Sequence, residues 1–310
     1  MSGFEISSLV VLATYVAVSY LHTYHVGQIM FLPGSIKDLI RTKVLRRRSK
    51  LSAAFLSALL HDKVYSVDLT CIQNFNKNHI RALENLPDIR HLTLTELDTE
   101  KCVCSRNQET GCCVRSCACE AALTDVLKVT LGSFNSLVRL ELSNNPSLVN
   151  EEIIIAVAEV CLKLQEIEVA NCHQVGDKAI VFQEKVLNHL NQQEVDDRKV
   201  RGLVTLKSLH SLNLLGTAIS DWALINFGIY SKSRHTLKEL VVDRCHLITD
   251  LGIKKILDAC DNLEIFSFAN CDNVTWESAS KLSGYFENRK LECGISAQRN
   301  GIKQLSFTIW

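Results

Sequence analysis

The chain predicts an α/β solenoid of repeated strand–helix units, with a curved parallel sheet inside, helices outside and a helical N-terminal segment. Three observations predict it. A nine-residue pattern, L-x-x-L-x-L-x-x-N/C, recurs along the chain; uninterrupted copies start 25 to 28 residues apart; and an amphipathic helical stretch follows each strong copy.

The strong copies are LVRLELSNN from Leu137, LQEIEVANC from Leu164, LHSLNLLGT from Leu209, LKELVVDRC from Leu237 and LEIFSFANC from Leu263. Weaker copies start at Val64, Ile89 and Ile302, giving eight expected strand segments. Alternation along L-x-L sends Leu140 and Leu142, or Leu240 and Val242, to the space between strand and helix, and the residues between them outward. No single unit can bury such an apolar face alone, so the units must stack.

Helices are clearest in ITDLGIKKILDAC, where Asp250 can cap the start and Ile253, Ile256 and Leu257 share a face. Cys172, Cys245 and Cys271 stand with Asn145 and Thr217 at the N/C position, where a small, weakly polar group can pack and hydrogen-bond at the turn. Cys161 and Cys260 end helices. Three start-to-start spacings are long, at 48, 45 and 39 residues. Against about 26 residues per repeat, each contains an insertion, near residues 98–122, 184–202 and 284–300. The expected organisation is therefore a helical N-terminal cap and possible adaptor-docking segment over residues 1–62, followed by repeats over 63–310.

Composition narrows the function. Acidic and basic residues balance at 34 each, so no net field draws the chain to nucleic acid. Thirteen cysteines, an odd number recurring at repeat positions, read as reduced thiols of cytosol or nucleus. Residues 6 to 36 contain no Asp, Glu, Lys or Arg, which raises a membrane segment. The strictly apolar run is nearer ten residues than the roughly twenty a spanning helix needs, and Glu5 stands where a signal peptide would be basic, so a membrane partner is not expected.

The first insertion, CVCSRNQETGCCVRSCACE, holds Cys102, Cys104, Cys112, Cys113, Cys117 and Cys119. Thiolates bind zinc, but the spacing lacks paired C-x₂₋₄-C knuckles. A loop of reduced cysteines is the leading reading, with oxidation or acylation as another. No cofactor is expected. A basic run, Arg41, Lys43, Arg46, Arg47, Arg48 and Lys50, reads as a solvated helix face ahead of a nuclear signal or acidic-partner site. There is no phosphate loop, no G-x-S-x-G and no H-E-x-x-H. His173 and His246 each follow a repeat cysteine, and recurrence at one repeat position argues for turn packing over nucleophilic chemistry. The chain is not expected to be an enzyme.

The outward strand positions Asp68, Arg139, Glu141, Glu166, Glu168, Glu239 and Asp243 are the candidate substrate-binding face. Six of the seven are acidic, which points to a protein ligand with a basic patch. Exposed strand charges also serve simply to keep a sheet soluble.

The stretch LKELVVDRCHLITDLGIKKILDACDNLEIFSFANC resembles the cysteine-containing repeats of F-box/leucine-rich-repeat proteins. FLPGSIKDLI, HDKVYSVDL and the closing IKQLSFTIW are similar to homologues of the antagonist of mitotic exit network protein, over nearly the whole chain. That resemblance implies a non-enzymatic substrate receptor of a cullin-RING ubiquitin ligase with a cell-cycle role. The cysteine loop, the charged insertion NHLNQQEVDDRKV and the apolar start depart from the family. The segment around Leu9, Leu12, Ala13 and Val16, followed by Leu32 and Pro33, resembles the short helix of elongin-binding receptors, with Ala13 where that motif prefers cysteine. An F-box-like helix on a Skp1-type adaptor fits equally, and so does a plain cap over the first repeat's core. A scaffold or inhibitor that never meets a cullin is the alternative function.

Overall fold

The computed structural model describes residues 24–45, 51–70, 72–84, 86, 88–99, 118–183 and 200–275, with the backbone of 292–299 and 302–309. Two compact units divide between Thr130 and Leu131; the expected boundary at 62/63 falls inside the first. Residues 1–23, 46–50, 100–117, 184–199 and 276–291 lie outside the described residues.

In the first unit, three helices, α1 (Val26–Met30), α2 (Gly34–Leu45) and α3 (Ala53–Leu59), precede strand β1 (Ser66–Asp68). Strand β2 (Gln73–Phe75) leads into α4 (Lys77–Leu83), followed by β3 (His91–Thr93) and β4 (Asp98–Thr99). β1 and β3 run parallel, with Val67 opposite Leu92, both buried. β2 pairs with β4 in a separate two-stranded ribbon. Helix α4 starts in a capping box built by Asn76 and His79. The His79 ring is buried, stacks on Phe75 at 5.5 Å and reaches the Leu51 carbonyl from Nε2 at 2.8 Å. A buried imidazole thus ties the helix start to the chain entering α3, because a buried polar ring must find partners on both nitrogens.

Helix α5 (Ala118–Leu131) leads into the second unit. There β5 (Arg139–Glu141), β6 (Glu166–Glu168), β9 (Ser211–Asn213), β10 (Glu239–Val241), β11 (Ile265–Ser267) and β12 (Glu292–Arg299) pair parallel in that order. The register places Arg139 beside Glu166, then Ser211, Glu239, Ile265 and Glu292. Leu140, Ile167, Leu212, Leu240 and Phe266 lie on the opposite, buried side. Helices α6 (Glu151–Val160), α8 (Asp221–Tyr230) and α9 (Asp250–Ala259) each follow a strand, and their Ile153, Phe227 and Ile256 complete the core. The strand–turn–helix unit of a leucine-rich-repeat-like fold is therefore present, in mixed α/β architecture with a parallel sheet.

Three expectations need correction. The strand predicted from Ile302, β13 (Ile302–Ile309), pairs antiparallel with β12. The parallel neighbour of β11 is β12, with Ile265 opposite Glu292; a repeat spacing of 27 positions falls inside the segment read as an insertion, where the L-x-x-L pattern is missing. Second, the helix after β6 is the four-residue α7 (Asp177–Ile180), after which β7 (Phe182–Gln183) and β8 (Val200–Arg201) form an antiparallel ribbon. Third, the cap of α9 is Thr249, whose hydroxyl accepts from the Leu251 amide; Asp250 is the first helical residue and serves the next repeat.

The turns follow one rule. The residue five positions after each strand start, at Glu96, Asn144, Asn171, Gly216, Arg244 and Asn270, has φ between 52° and 64°. That left-handed conformation favours Asn and Gly, which explains NN, AN and LG in the repeat motifs. The next residue turns its side chain inward. Asn145 donates to the Leu142 carbonyl at 2.8 Å, and the thiols of Cys172, Cys245 and Cys271 reach the carbonyls of Leu142, Leu214 and Val242 one repeat earlier, at 3.4, 3.2 and 3.2 Å.

Candidate functional site

The second unit's parallel register aligns two outward rows on its sheet. One row is Arg139, Glu166, Ser211, Glu239 and Ile265; the other is Glu141, Glu168, Asn213, Val241 and Ser267. Each strand contributes two such side chains because a three-residue strand alternates outward, inward, outward.

These side chains hold one another in place. Arg139 bridges two strands, 2.5 Å from Glu141 and 3.0 Å from Glu166. Its pKa is raised, first by the hydrogen bond to Glu141, against partial burial and with help from the charges of Glu141, Glu166 and Glu168. The Ser143 hydroxyl donates to Glu168 at 2.9 Å, and the Ser211 hydroxyl donates to Glu239 at 2.8 Å. A hydroxyl donor orients the carboxylate it meets, so Glu168 and Glu239 are held in a fixed direction. Surface ion pairs such as Arg139–Glu166 contribute only about 0.2–1 kcal/mol each to stability. The arrangement is chemically suited to accept hydrogen bonds and cations.

Two expected members sit apart from these rows. Asp243 lies two residues beyond β10 in the turn, where its Oδ1 accepts from the Ser267 hydroxyl (2.6 Å) and the Ala269 amide (2.7 Å). It links two turns as well as contributing charge. Asp68 belongs to the first unit, is exposed at the end of β1, and accepts from the amide and hydroxyl of Thr70.

Of the adaptor-docking candidates, Leu9, Leu12, Ala13 and Val16 lie outside the described residues. Leu32 is half-buried and Pro33 exposed between α1 and α2, beside Met30 and Phe31, of which Phe31 is 90% exposed. Cys102, Cys104, Cys112, Cys113 and Cys117 are likewise outside, and of Cys119 only the backbone, in α5, is described. Among the described residues no group of three metal-ligating side chains is present, and no helix is long and apolar enough to cross a membrane. In the basic run, Arg41 is a packed residue: its side chain is 12% exposed and its guanidinium lies 2.9 Å from Asp38, which also meets His61 Nε2 at 3.2 Å. Burial lowers its pKa, opposed by Asp38 and Tyr65. The expected solvated face therefore does not include it, because the chain between α3 and β1 brings His61 onto Asp38 and Tyr65 near the guanidinium on that side of α2.

The repeat cysteines offer no nucleophile. Burial pushes the thiols of Cys161 and Cys271 up to about 12 and that of Cys172 up to about 11. Cys245 moves in the same direction for the same first cause. At neutral pH these groups are thiols, and only a thiolate attacks. His173 Nδ1 lies 2.8 Å from the Gly216 carbonyl, and His246 Nδ1 lies 2.7 Å from Asp272, both at turns.

Sequence reasoning missed one row of contacts, having read Asp250 only as a helix cap. Asp177, Asp221 and Asp250, the first residues of α7, α8 and α9, each accept from the amide and hydroxyl of a serine or threonine one repeat on: Ser220, Thr249 and Thr275. The recurring dipeptides Gly-Asp, Ser-Asp and Thr-Asp at helix starts are the signal that could have found it.

No family model matches the chain. The structure is similar to the tropomodulin C-terminal domain of Caenorhabditis elegans (14% identity, 54% of this chain and 93% of that chain, TM-score 0.36). It is also similar to an internalin of Listeria monocytogenes (14% identity, 82% of this chain and 60% of that one, TM-score 0.42). A third likeness is to the crystal structure of the yeast Rad7 and Elc1 complex (14% identity, 94% and 82%, TM-score 0.36).

Proposed function

We propose that this chain is a non-enzymatic protein-binding module whose repeats form a leucine-rich-repeat solenoid. It acts as the substrate-recognition subunit of a cullin-RING ubiquitin ligase with a cell-cycle role, in cytoplasm or nucleus. One observation carries the binding reading: among the described residues, the strand rows of the second unit present Glu141, Glu166, Glu168 and Glu239 against the single guanidinium of Arg139, with Glu168 and Glu239 oriented by serine hydroxyls. Preorganised carboxylates lose little side-chain entropy on meeting a cation, and this favours a protein ligand with a basic patch. The ligase reading rests on the resemblance to F-box/leucine-rich-repeat proteins and mitotic-exit antagonist homologues. In it, the segment containing Leu9, Leu12, Ala13 and Val16, with Leu32 and Pro33, docks on an elongin or Skp1-type adaptor.

Co-purification from cells of the full chain and of a chain lacking residues 1–31, followed by mass spectrometry, tests both parts. Elongins or a Skp1-type adaptor together with a cullin, recovered only with the full chain, are the expected result. If neither chain recovers a cullin while both hold the same partner, the protein is a scaffold or inhibitor and the ligase reading fails.

A further inference from the structure

Lys37 stands where an apolar residue belongs. It shares the inner face of α2 with Ile40 and Val44, which are 2% and 3% exposed, and is itself only 9% exposed. Among the described residues its ammonium has no hydrogen-bond or ion-pair partner. A buried charge is normally paired, because leaving water without a counter-ion is strongly unfavourable.

Arg41, one turn on, adds a second cation. Residues four apart on a helix are neighbours, and like charges placed so repel each other. The Arg41 side chain is 12% exposed; its Nη2 lies 2.9 Å from Asp38, whereas its Nη1 is buried without a partner. Asp38 is shared as well, since the same Oδ1 meets His61 Nε2 at 3.2 Å. The elements packed around α2 supply no other counter-ion. Helix α3 packs on both α1 and α2, and α1 and α3, with sequences VGQIM and AAFLSAL, carry no charged residue. From residue 24 to residue 60 the sequence sets seven Lys and Arg against one acid, Asp38. The next acid, Asp62, is 86% exposed and lies 4.0 Å from the other His61 nitrogen.

We propose that Lys37 and Arg41 form a binding site for a single carboxylate group, carried by an acidic segment of a partner protein or by a small organic acid. Charge selects this group: Lys37, Arg41 and Asp38 together leave one positive charge, which a carboxylate neutralises and a phosphate dianion would reverse. The donors agree, because a carboxylate has one oxygen for the ammonium and one for the guanidinium. The site belongs to the first unit and is independent of the acidic strand rows of the second, which select the opposite charge.

Calorimetric titration of the full chain at low salt tests this with four probes: a 12-residue peptide holding one glutamate among serines and alanines, its glutamine twin, glutarate, and inorganic phosphate. Saturable binding of a carboxylate probe is expected, with the glutamate peptide at least tenfold tighter than its twin if the source is a protein, and glutarate alone binding if it is a small acid. Lys37→Met and Arg41→Gln should each weaken that binding at least tenfold, whereas Lys254→Gln with Lys255→Gln, exposed on α9, should leave it unchanged. Lys37→Met should also raise the melting temperature, since it fills the same space without an unpaired charge; a lysine that serves packing alone would lower it. Binding of neither carboxylate probe, equal binding of the two peptides without glutarate, or carboxylate binding indifferent to Lys37→Met overturns the proposal. So does phosphate binding tighter than both carboxylates, or binding that appears only in Glu5→Gln, the one acid ahead of Asp38 in the sequence, which would make the occupant part of the chain itself.

Discussion

Asp221 and Thr249 join two successive repeats: Asp221, the first residue of α8, accepts the Thr249 amide at 2.8 Å and the Thr249 hydroxyl at 2.5 Å, and Thr249 in turn caps α9. A charged acceptor thus ties one helix start to the next. Hydrogen bonds to charged groups contribute about 1.5–3 kcal/mol, so Asp221→Ala is expected to cost about 2–3 kcal/mol. Asp221→Asn, which keeps one acceptor oxygen, should cost less. Urea unfolding followed by circular dichroism measures both, and equal stability of Asp221→Ala and the parent would show that the ladder contributes nothing.

The repeat cysteines make stability fall in alkali. An ordinary thiol titrates near 9, whereas Cys161 and Cys271 are held near 12 and Cys172 near 11 by burial. Between these limits the unfolded chain has lost protons that the folded chain retains. Stability from these groups is therefore complete below pH 9 and is lost as pH rises toward the folded values, by at most about 1.4 kcal/mol per pH unit per thiol. Denaturant midpoints from pH 7 to 10.5 should decline above pH 9. Under native conditions at pH 8, iodoacetamide should leave peptides containing Cys161, Cys172, Cys245 and Cys271 unmodified; rapid labelling of all four would contradict their burial.

Arg244 occupies a turn position with φ 57° that the second unit fills elsewhere with Asn144, Asn171, Gly216 and Asn270. A non-glycine residue in that conformation costs about 1–2 kcal/mol, less for Asn. Arg244→Asn should raise the melting temperature by roughly 2 °C, given the scaling for large chains. Gly216→Ala should lower it, because its Cβ would fall 2.7 Å from Asn171 Oδ1 at φ 64°.

Reversing the charge of the strand face tests the binding reading without touching the core. Glu166 and Glu168 are both partly exposed, so Glu166→Lys with Glu168→Lys should preserve the fold. Capture of the partner recovered from cells is expected to fall at least tenfold, and capture by the parent chain should weaken as salt rises from 50 to 500 mM, since exposed charges are screened within about 10 Å at 0.1 M. Unchanged capture would remove the acidic face from the binding site.

Leu140, Leu240, Cys172 and Cys271 were legible in the sequence because their positions obey a local period: every second residue of a strand, and one fixed step past it, must face the core. For the same reason the Asn and Gly of the left-handed turns announce themselves, since their conformation is a property of one residue. The sequence by itself therefore determined the strand–turn–helix unit, its apolar face and the outward placement of Arg139, Glu166 and Glu239. Tertiary structure alone decided that Asp221 holds Thr249, that Arg139 spans two strands, that Arg41 is packed against Asp38, and that β12 continues the parallel sheet in place of β13. Each of these depends on which side chain arrives from a distant stretch of chain, often one repeat away. Composition and periodicity carry no record of that arrival until the units are stacked.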